Sequence, residues 1–288
     1  MKIAYIILAH KDPLQVVRLI DRLNCNNTIF LIHYDKNSND KDYDYLKKRL
    51  NDYKDTYFAK RQKYLWAEFP ALSVSFNCLK ELFNLNIDFH YALLISGQHY
   101  PIKTNRQIFD FFLENKGKSV LIFRKIPNIH IPPNSTVDWI KRWVFTSKSA
   151  DKKIFFPRSY PSIFRRKFPK RFVPYWNNMW WALTRKCILD LLGSTKSNPE
   201  LYKYMKHNLA PEEIFYSTAI LNIEKYKNKL LNKKLVYERW IPVTFGNSSF
   251  LDMRDLTKIK KSDFLFARKF DFNYSRKLMD KIDSELLN

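Results

Sequence analysis

The sequence predicts an α/β protein in which a central mixed sheet is flanked by helices. Along the first half of the chain, apolar runs of strand length alternate with stretches whose apolar residues recur at helical spacing. This alternation is typical of a sheet whose strands are joined by crossover helices. A length of 288 residues and an apolar content of 45% provide for a substantial core. We therefore expect residues 1–288 to form a single domain.

Five apolar runs predict strands, and four periodic stretches predict the helices between them. The predicted strands are Ile3–Leu8, Ile29–Tyr34, Thr56–Ala59, Tyr91–Ser96 and Ser119–Phe123. The predicted helices are Pro13–Leu23, Asp42–Leu50, Phe69–Phe83 and Arg106–Leu113. By this pattern, residues 1–125 form a Rossmann-like, nucleotide-binding half.

Polar residues follow three of the predicted strands. His10 follows the first strand, Asp35 the second and Ser96-Gly97 the fourth. In open α/β sheets ligands bind beyond the carboxyl ends of the strands, so these positions together indicate a ligand site. Each of them alone is equally consistent with an ordinary turn. The chain has only 4 glycines and no glycine-rich phosphate loop, so other residues must hold the phosphates of a nucleotide.

Residues 126–178 form a basic and aromatic region. Between Lys141 and Phe172 the only acid is Asp151, and several prolines interrupt helical continuity. We expect a loop or short helices that project from the sheet. Such a region suits nucleic acid, a membrane surface or an acidic glycan, and it is also consistent with a merely solvated loop.

Charge and cysteine content restrict the partners and the compartment. The formal net charge is +23, which indicates nucleic acid, anionic lipid or a phosphorylated substrate, with lysine-rich codon usage as the alternative explanation. Three scattered cysteines in no metal-like spacing indicate reduced thiols in a cytoplasm. The first ten residues are too short for a spanning helix and lack a signal cleavage pattern, so we interpret them as a buried strand.

Two charged motifs in residues 179–288 indicate chemistry. Pro211-Glu212-Glu213 predicts a helix start, whose acids either complement the helix dipole or include a general base that points inward. Near the C-terminus, Arg268-Lys269 lie inside an apolar segment, and this pair suits a diphosphate that is neutralised without a metal. The segment Tyr274–Leu287 predicts an amphipathic helix that closes on the core.

Several motifs follow one another in an order that is specific in combination. They are Leu8-Ala9-His10, Ile32-His33-Tyr34-Asp35-Lys36, Trp66, Leu94 to Thr104, Trp180 to Arg185, Pro211-Glu212-Glu213 and Phe266 to Asp271. In this order the chain resembles, nearly end to end, the core-2/I-branching β-1,6-N-acetylglucosaminyltransferases and peptide O-xylosyltransferases, glycosyltransferase family 14. The resemblance implies a GT-A type fold, an inverting transfer from a UDP-sugar and independence from a divalent metal, so that no cofactor is expected.

The resemblance also implies roles for residues at matching positions. Glu213 corresponds to the catalytic base, and Lys269 with Arg268 beside it corresponds to the diphosphate clamp. A second basic residue upstream of the clamp is matched loosely by Arg254 and by Arg239. The uridine and donor side corresponds to Asp35, Trp66, His10, Ser96 and Gly97.

Two departures from the family pattern stand out. The acid that is common in the Ser-Gly block is His99 in this chain, so a role for that acid is in doubt. The disulfides of the secreted animal members are missing, which favours a cytoplasmic, bacterial-type enzyme. The Asp-x-Asp motif of metal-dependent GT-A enzymes has one candidate, Asp42-Tyr43-Asp44, but its setting predicts an exposed helix start rather than a metal site.

The acceptor side is less well defined by the sequence. Aromatic residues near the two charged motifs suit stacking on sugar faces, although such residues are more often part of a core. The candidate acceptor-binding residues are Arg142, Trp181, Glu212, Tyr237 and Trp240.

Together these observations predict a glycosyltransferase that moves N-acetylglucosamine or xylose from a UDP-sugar to a hydroxyl of a glycan. The acceptor is expected to be a glycan or a lipid-linked glycan in bacterial surface polysaccharide or lipopolysaccharide synthesis. The enzyme is expected in the cytoplasm, in peripheral contact with the anionic inner face of the membrane. The rival interpretation is a basic nucleic-acid-binding protein without catalytic activity.

Overall fold

The computed structural model describes residues 1–127, 140–146, 159–240 and 248–287. Its strands are β1 (Ile3–Ala9), β2 (Thr28–Tyr34), β3 (Thr56–Phe58), β4 (Tyr91–Ser96), β5 (His99–Pro101), β6 (Ser119–Val120), β7 (Phe123–Lys125), β8 (Arg142–Thr146), β9 (Ser159–Arg165), β10 (Tyr175–Asn177), β11 (Ala182–Thr184), β12 (Leu230–Leu231), β13 (Val236–Glu238) and β14 (Phe266–Arg268). Its α-helices are α1 (Pro13–Leu23), α2 (Asp40–Arg49), α3 (Phe69–Asn84), α4 (Asn105–Glu114), α5 (Arg185–Ser197), α6 (Glu200–Tyr204), α7 (Glu212–Leu221), α8 (Leu256–Lys261) and α9 (Arg276–Ile282).

Seven strands form the central sheet, in the order β12-β6-β11-β4-β1-β2-β3. The four strands β4, β1, β2 and β3 run parallel, whereas β11 is antiparallel to both of its neighbours. The middle strands are apolar and buried over almost their whole length, as expected of a sheet that is covered on both faces. The predicted α/β class with a central mixed sheet is therefore confirmed.

The first four predicted strands agree with the structure to within a residue or two, but the fifth does not. The predicted strand Ser119–Phe123 is divided between β6, in the central sheet, and β7, which pairs with β10. The side chain of Asn232 exchanges two hydrogen bonds of 3.0 Å with the backbone of Phe123. This contact takes up the backbone groups that a continuous strand would need, so the chain leaves the central sheet.

The predicted helices are also found, with small changes at their ends. α1 has the predicted bounds, and α4 begins with a capping box in which Thr104 and Gln107 exchange hydrogen bonds. α2 begins two residues early, because the Asn39 side chain accepts a 2.9 Å hydrogen bond from the Lys41 N–H. Asp42 and Asp44 accordingly lie on the first turns of a surface helix, as predicted.

A smaller three-stranded sheet, β13-β14-β5, brings the C-terminal cations into the body of the protein. β14 lies between the other two strands, parallel to β13 and antiparallel to β5, with Arg268 opposite both Glu238 and His99. One face of this sheet packs into a second hydrophobic cluster around Tyr100, Phe270 and the helix α9.

The structure corrects the prediction for the basic and aromatic region. Instead of a loop or short helices, β8 and β9 form an antiparallel pair, while residues 147–158 lie outside the described ranges. The pair is continued by a 2.8 Å hydrogen bond from the Arg166 N–H to the Lys141 carbonyl. Pro161 lies within β9, and a two-stranded ribbon tolerates proline because each strand has an unpaired edge. Pairing between segments this far apart leaves no local pattern in the sequence.

The N-terminal segment is a buried strand, as predicted: all seven residues of β1 are buried between its two parallel neighbours. Across the ranges that the structure describes, no helix has the length and apolar character needed to cross a membrane. The cysteines in these ranges are unpaired, and both Cys78 and Cys187 are buried in the core.

The C-terminal helix closes on the core, as predicted, and Asp283 fastens it there. The Asp283 carboxylate accepts hydrogen bonds of 2.7 Å from Arg18, Arg22 and the hydroxyl of Tyr100. Its side chain is only 9% exposed, so these charge-assisted bonds are shielded from water. Asp280, one turn earlier, also binds Arg18, at 2.6 Å, but is 58% exposed.

Asp283→Ala is expected to destabilise the protein by about 3 kcal/mol, because it leaves two arginines and a tyrosine hydroxyl without their shared acceptor. The matched control, Asp280→Ala, removes an exposed ion pair and is expected to cost less than about 1 kcal/mol. Urea denaturation of both variants measures the difference. Equal losses from the two variants would contradict the assigned role of Asp283.

Candidate active site

Two adjacent carboxyl groups begin helix α7. Pro211 occupies the N-cap position, and Glu212 and Glu213 form the first turn. The Glu212 side chain is buried, and among the described residues one of its carboxyl oxygens, Oε2, has no hydrogen-bond partner. Burial, followed by the charge of Glu213, raises the pKa of Glu212 to about 8. Glu212 is therefore mostly protonated at neutral pH, which suits a wall of the site better than a base.

Glu213 is the more accessible acid of the pair. Its Oε2 accepts a 3.2 Å hydrogen bond from the indole N–H of Trp176, on β10. Burial raises the pKa of Glu213 to about 7 and the charge of Glu238 adds to the increase, while the Trp176 bond and Arg268 act in the opposite direction. A carboxyl group with a pKa near neutral pH is suited to accept a proton at that pH.

Local hydrogen bonds hold these acids in place. The Asn177 side chain donates to the Glu212 carbonyl at 2.9 Å and accepts from the Ser217 N–H at 3.1 Å, so β10 is fastened to α7. The Ala210 N–H donates to the Ala67 carbonyl at 2.9 Å. Since Ala67 follows Trp66 directly, this bond also ties the Trp66 segment to the start of α7.

Arg268, at the end of β14, and Lys269, just after it, lie in different environments. Arg268 forms a 3.0 Å ion pair with Glu238 and lies 4.6 Å from the centre of the Trp180 ring. Its charge acts on Glu213 and His99, so Arg268 belongs to the side of the site that holds the acids. One nitrogen of the Arg268 guanidinium binds a buried carboxylate, and the diphosphate role of Arg268 stays a prediction.

Lys269 lies on the other side, close to the end of β1. Its ammonium is 5.5 Å from the centre of the Phe250 ring, and no ion pair to Lys269 is present within the described ranges. Burial, with the charges of Arg268 and Lys11, lowers the pKa of Lys269. Partial burial and the charges of Lys269 and Lys11 likewise lower the pKa of His10, against the opposing effect of Asp35. An anion placed here would give the Lys269 ammonium a partner of opposite charge.

Lys11 is a member of this cluster that sequence reasoning missed. Its ammonium lies 5.3 Å from the centre of the same Phe250 ring and binds Asp271 at 2.9 Å and Asp12 at 3.3 Å. The signal was its position directly after His10, at the carboxyl end of β1. A lysine in such a turn is ordinary by itself, and only the folded chain shows that it meets Lys269.

The predicted donor-side residues come together at the carboxyl ends of the parallel strands. β1 pairs with β2 and β4 so that His10, Asp35 and Ser96 follow or end neighbouring strands. Asp35 Oδ1 accepts 3.0 Å hydrogen bonds from the backbone N–H groups of Asn37 and Tyr64. Trp66 is 60% exposed in the segment that follows Tyr64, so its ring is available to a ligand.

Ser96 and Gly97 have structural tasks in this fold. The Ser96 hydroxyl lies 2.9 Å from His99 Nδ1, which also accepts the Ser96 N–H at 3.0 Å. A Cβ on Gly97 would come within 2.9 Å of a Val16 methyl group, so glycine is required for the close approach of α1. Contact of Ser96 and Gly97 with a donor sugar therefore stays a prediction.

Neither upstream arginine joins Lys269 directly. Arg239 is bound by Asp255 at 2.8 Å, by Asp252 at 3.3 Å and by the Phe250 carbonyl, which makes it a structural support for this segment. Arg254 is 75% exposed and its guanidinium binds Asp252, two residues away. The ammonium group that contacts the Phe250 ring together with Lys269 is that of Lys11. A diphosphate role for Arg254 or Arg239 stays a prediction.

The predicted acceptor residues are only partly supported. Trp181 is 1% exposed and packs against Tyr216, whereas the neighbouring Trp180 contacts Arg268. Alternation along β13 turns the Tyr237 side chain away from Glu238, and its hydroxyl donates to Asp255 at 3.2 Å. The acceptor roles of Trp181 and Tyr237 stay predictions that these surroundings do not favour.

The remaining acceptor candidates stay predictions. Trp240 is exposed just after β13, and Arg142 is half-buried at the start of β8. The structure adds Trp176, which sequence reasoning missed although it holds the proposed base. No pattern in the sequence marks it, because the contact depends on how β10 packs beside α7.

Comparison with known proteins adds a family to this geometry. The family model described as "Branch: Core-2/I-Branching enzyme" matches residues 3–260. The human protein named "Probable beta-1,3-galactosyl-O-glycosyl-glycoprotein beta-1,6-N-acetylglucosaminyltransferase 7" is 24% identical over 217 residues, which cover 75% of this chain and 48% of that protein. The Arabidopsis thaliana "Beta-glucuronosyltransferase GlcAT14A" is 30% identical over 125 residues, which cover 43% of this chain and 28% of that protein.

The chain thus spans about half the length, or less, of the curated relatives that it matches. Among solved structures, mouse xyloside xylosyltransferase 1 is similar with a TM-score of 0.42 and 10% identity, and the match covers 95% of this chain and 98% of that one.

The raised pKa of Glu212 predicts a pH-dependent stability. Because the folded pKa, about 8, lies above the unfolded value of 4.5, the folded state binds the extra proton, and stability falls as pH rises through this window. Glu212→Gln removes the titration. The free energy of unfolding of the parent protein is expected to fall by about 2 kcal/mol more than that of Glu212→Gln between about pH 6 and pH 8.5.

Urea denaturation at the two pH values measures this change, with the exposed Glu114→Gln as the control whose difference from the parent stays constant. A difference for Glu212→Gln that is equally constant with pH would show that Glu212 ionises normally.

Proposed function

The chain belongs to the Core-2/I-branching enzyme family, and on that premise we propose that it is a glycosyltransferase that uses a UDP-sugar. The proposal rests on the presence, in one site, of a carboxyl group that can accept a proton and of cations that can bind phosphate. Glu213, a carboxyl group with a near-neutral pKa, is close enough to Arg268 for the guanidinium charge to act on it. Lys269, the residue after Arg268, acts on His10 together with Lys11, and within the described ranges its ammonium has no ion pair.

In the proposed reaction, Glu213 accepts the proton of an acceptor hydroxyl as the oxygen attacks the anomeric carbon of the donor sugar. The bond from that carbon to the β-phosphate oxygen breaks on the opposite face, and its electron pair leaves with UDP, so the configuration inverts. The negative charge that grows on the β-phosphate is met by Lys269 and Lys11. Ammonium groups in a partly buried site stabilise such charge without a bound metal.

The same arrangement supports a place for the rest of the donor. Asp35 has one carboxyl oxygen occupied by backbone N–H groups, and its second oxygen is left for a hydroxyl or an imide of uridine. Trp66, two residues after the Tyr64 N–H that binds Asp35, offers an exposed aromatic face. We assign these two residues to the nucleoside and His10 to the phosphate side of the same pocket.

The donor and acceptor are narrower proposals. N-acetylglucosamine and xylose remain the favoured donor sugars, and the name of the Arabidopsis relative adds glucuronic acid to the set worth testing. A glycan or lipid-linked glycan of a bacterial surface polysaccharide is the proposed acceptor. The net charge of +23 supports a cytoplasmic enzyme in peripheral contact with an anionic membrane.

Glu213→Gln tests the base. The amide cannot accept a proton, so kcat for sugar transfer is expected to fall about 10²-fold to 10⁴-fold, while the affinity for UDP changes by less than about twofold. Transfer is measured with a panel of UDP-sugars in the presence of EDTA, with Glu114→Gln as the matched exposed control. Turnover by Glu213→Gln close to that of the parent protein would exclude Glu213 as the base.

Lys269→Ala tests the diphosphate site. In calorimetry with EDTA present, its affinity for UDP is expected to fall by about tenfold to a hundredfold, with binding of uridine nearly unchanged, because only the charge on the phosphates is lost. Lys11→Ala is expected to act in the same direction, whereas the exposed control Lys277→Ala is not.

The same titration separates the rival function. Tight, salt-dependent binding of single-stranded RNA without any binding of UDP would favour the basic nucleic-acid-binding protein. UDP binding that depends on Lys269 and persists in EDTA would favour the transferase and its independence from a metal. UDP binding that appears only after addition of Mg²⁺ or Mn²⁺ would contradict the metal-free proposal.

A further inference from the structure

Arg268 binds the carboxylate of Glu238, and its charge also acts on the carboxyl group of Glu213. Its Nη1 donates to Glu238 Oε1 at 3.0 Å, and the second oxygen of Glu238 binds the Lys234 ammonium at 3.0 Å. The Glu238 carboxylate is only 5% exposed, so both of its oxygens are occupied by cations and shielded from water. Such a pair has a fixed geometry, because breaking it would leave buried charges without partners.

Glu213 is in the opposite situation. Within the described part of the chain no ion pair to Glu213 is present, and its one hydrogen bond comes from the neutral indole of Trp176. Arg268 is nevertheless near enough for its charge to act on the Glu213 carboxyl group. A guanidinium that turned from Glu238 to Glu213 would occupy the oxygens that a base needs and would hold it ionised as a weak base.

We propose that Glu238 is a positioning residue, which holds Arg268 away from Glu213 and so keeps the Glu213 carboxylate available for the hydroxyl of the acceptor. The inference rests on the proposed function, since it takes Glu213 as the base. It adds a residue that the family resemblance did not single out.

Three contacts support this division of the charges. The parallel register of β13 and β14 sets Glu238 opposite Arg268, so the ion pair is built into the backbone pairing. The guanidinium also lies 4.6 Å from the centre of the Trp180 ring, which restrains it on the side away from solvent. Lys234 binds the second oxygen of Glu238 at 3.0 Å, so both carboxylate oxygens are held by cations.

Other titratable and charged groups face this part of the site and belong to every element packed against Glu213. They are Glu212 on α7, Tyr64 ahead of α3, His99 on β5, Arg124 on β7 beside Trp176, Lys234 and Glu238 at β13, and Arg268 on β14. Of these, Arg268 is the cation whose charge acts on Glu213 directly. Burial raises the pKa of Glu213, and the opposed charges of Glu238 and Arg268 adjust it further, so the pH dependence of the base also depends on this ion pair.

Glu238→Gln tests the inference through the pH profile. With Glu238 neutral, Arg268 is expected to turn to Glu213, which moves the acid limb of kcat down by about two pH units or more. The plateau of kcat is expected to fall about tenfold or more because the base is blocked, while the KM for the donor stays within about twofold. Glu238→Asp keeps the charge and is expected to recover much of the plateau.

A second variant separates positioning from a simple loss of charge. In Glu238→Gln with Arg268→Gln, no guanidinium is present to block Glu213, so the plateau of kcat is expected to recover toward that of the parent protein. Loss of the Glu238 charge alone also lowers the pKa of Glu213, so a plateau that Arg268→Gln does not restore would overturn the inference. An acid limb that is unchanged in Glu238→Gln, or a plateau that is fully retained, would overturn the inference, because Glu238 would then not govern access to the base.

The measurement also works without turnover. With ¹³C-labelled glutamate carboxyl groups, NMR titration reports the pKa of Glu213 in the parent protein and in Glu238→Gln. A downward shift of about two units or more in the variant, which needs direct contact with Arg268, supports the inference even if no donor sugar is found. A smaller shift, which the loss of the Glu238 charge alone produces, or an equal pKa in both overturns it. Failure of the parent protein to transfer any sugar would instead count against the proposed function alone.

Discussion

The pairing of β14 between β13 and β5 is the constraint on which the site depends. β14, near the C-terminus, is held by backbone hydrogen bonds to β13 and to β5. β5 comes directly after β4 of the central sheet in the chain. This pairing places Arg268 next to Glu238 and carries Lys269 to the carboxyl end of β1. Hydrogen bonds from Arg18, Arg22 and Tyr100 to Asp283 also stabilise this small sheet, because Tyr100 lies on β5. The catalytic proposal therefore rests on long-range contacts rather than on a local motif.

Charge is divided within the site by these contacts. Arg268 is neutralised by a buried carboxylate, whereas Lys269 and Lys11 share one aromatic ring and crowd each other. Burial raises the pKa values of Glu212 and Glu213, neither of which forms an ion pair within the described ranges. Burial and nearby cations lower the pKa values of Lys269 and His10. Perturbed groups of opposite sign in one place are typical of sites that move protons and bind anions.

The sequence predicted the parts of the fold that local patterns determine. Period and end signals placed α1 and the parallel strands, and the polar residues after those strands indicated His10 and Asp35. The motif Pro211-Glu212-Glu213 indicated the acids. The family match over residues 3–260 confirms the resemblance that joined these motifs.

The rest depends on register and long-range packing, which local patterns do not encode. Trp180 and Trp181 are equivalent in sequence, and only their packing decides that Trp181 enters the core and Trp180 meets Arg268. Lys11, Trp176 and Glu238 belong to the site because distant strands bring them there. The hairpin of β8 and β9 was missed for the same reason.

A crystal structure of the protein with UDP, grown in EDTA, tests the proposed donor site. We expect the β-phosphate within about 3 Å of the Lys269 ammonium, with Lys11 on the same phosphate and the uracil toward Asp35 and Trp66. A nucleotide bound elsewhere, for example in the cavity of about 240 Å³ lined by Arg171 and Asn198, with Lys269 left untouched, would contradict it.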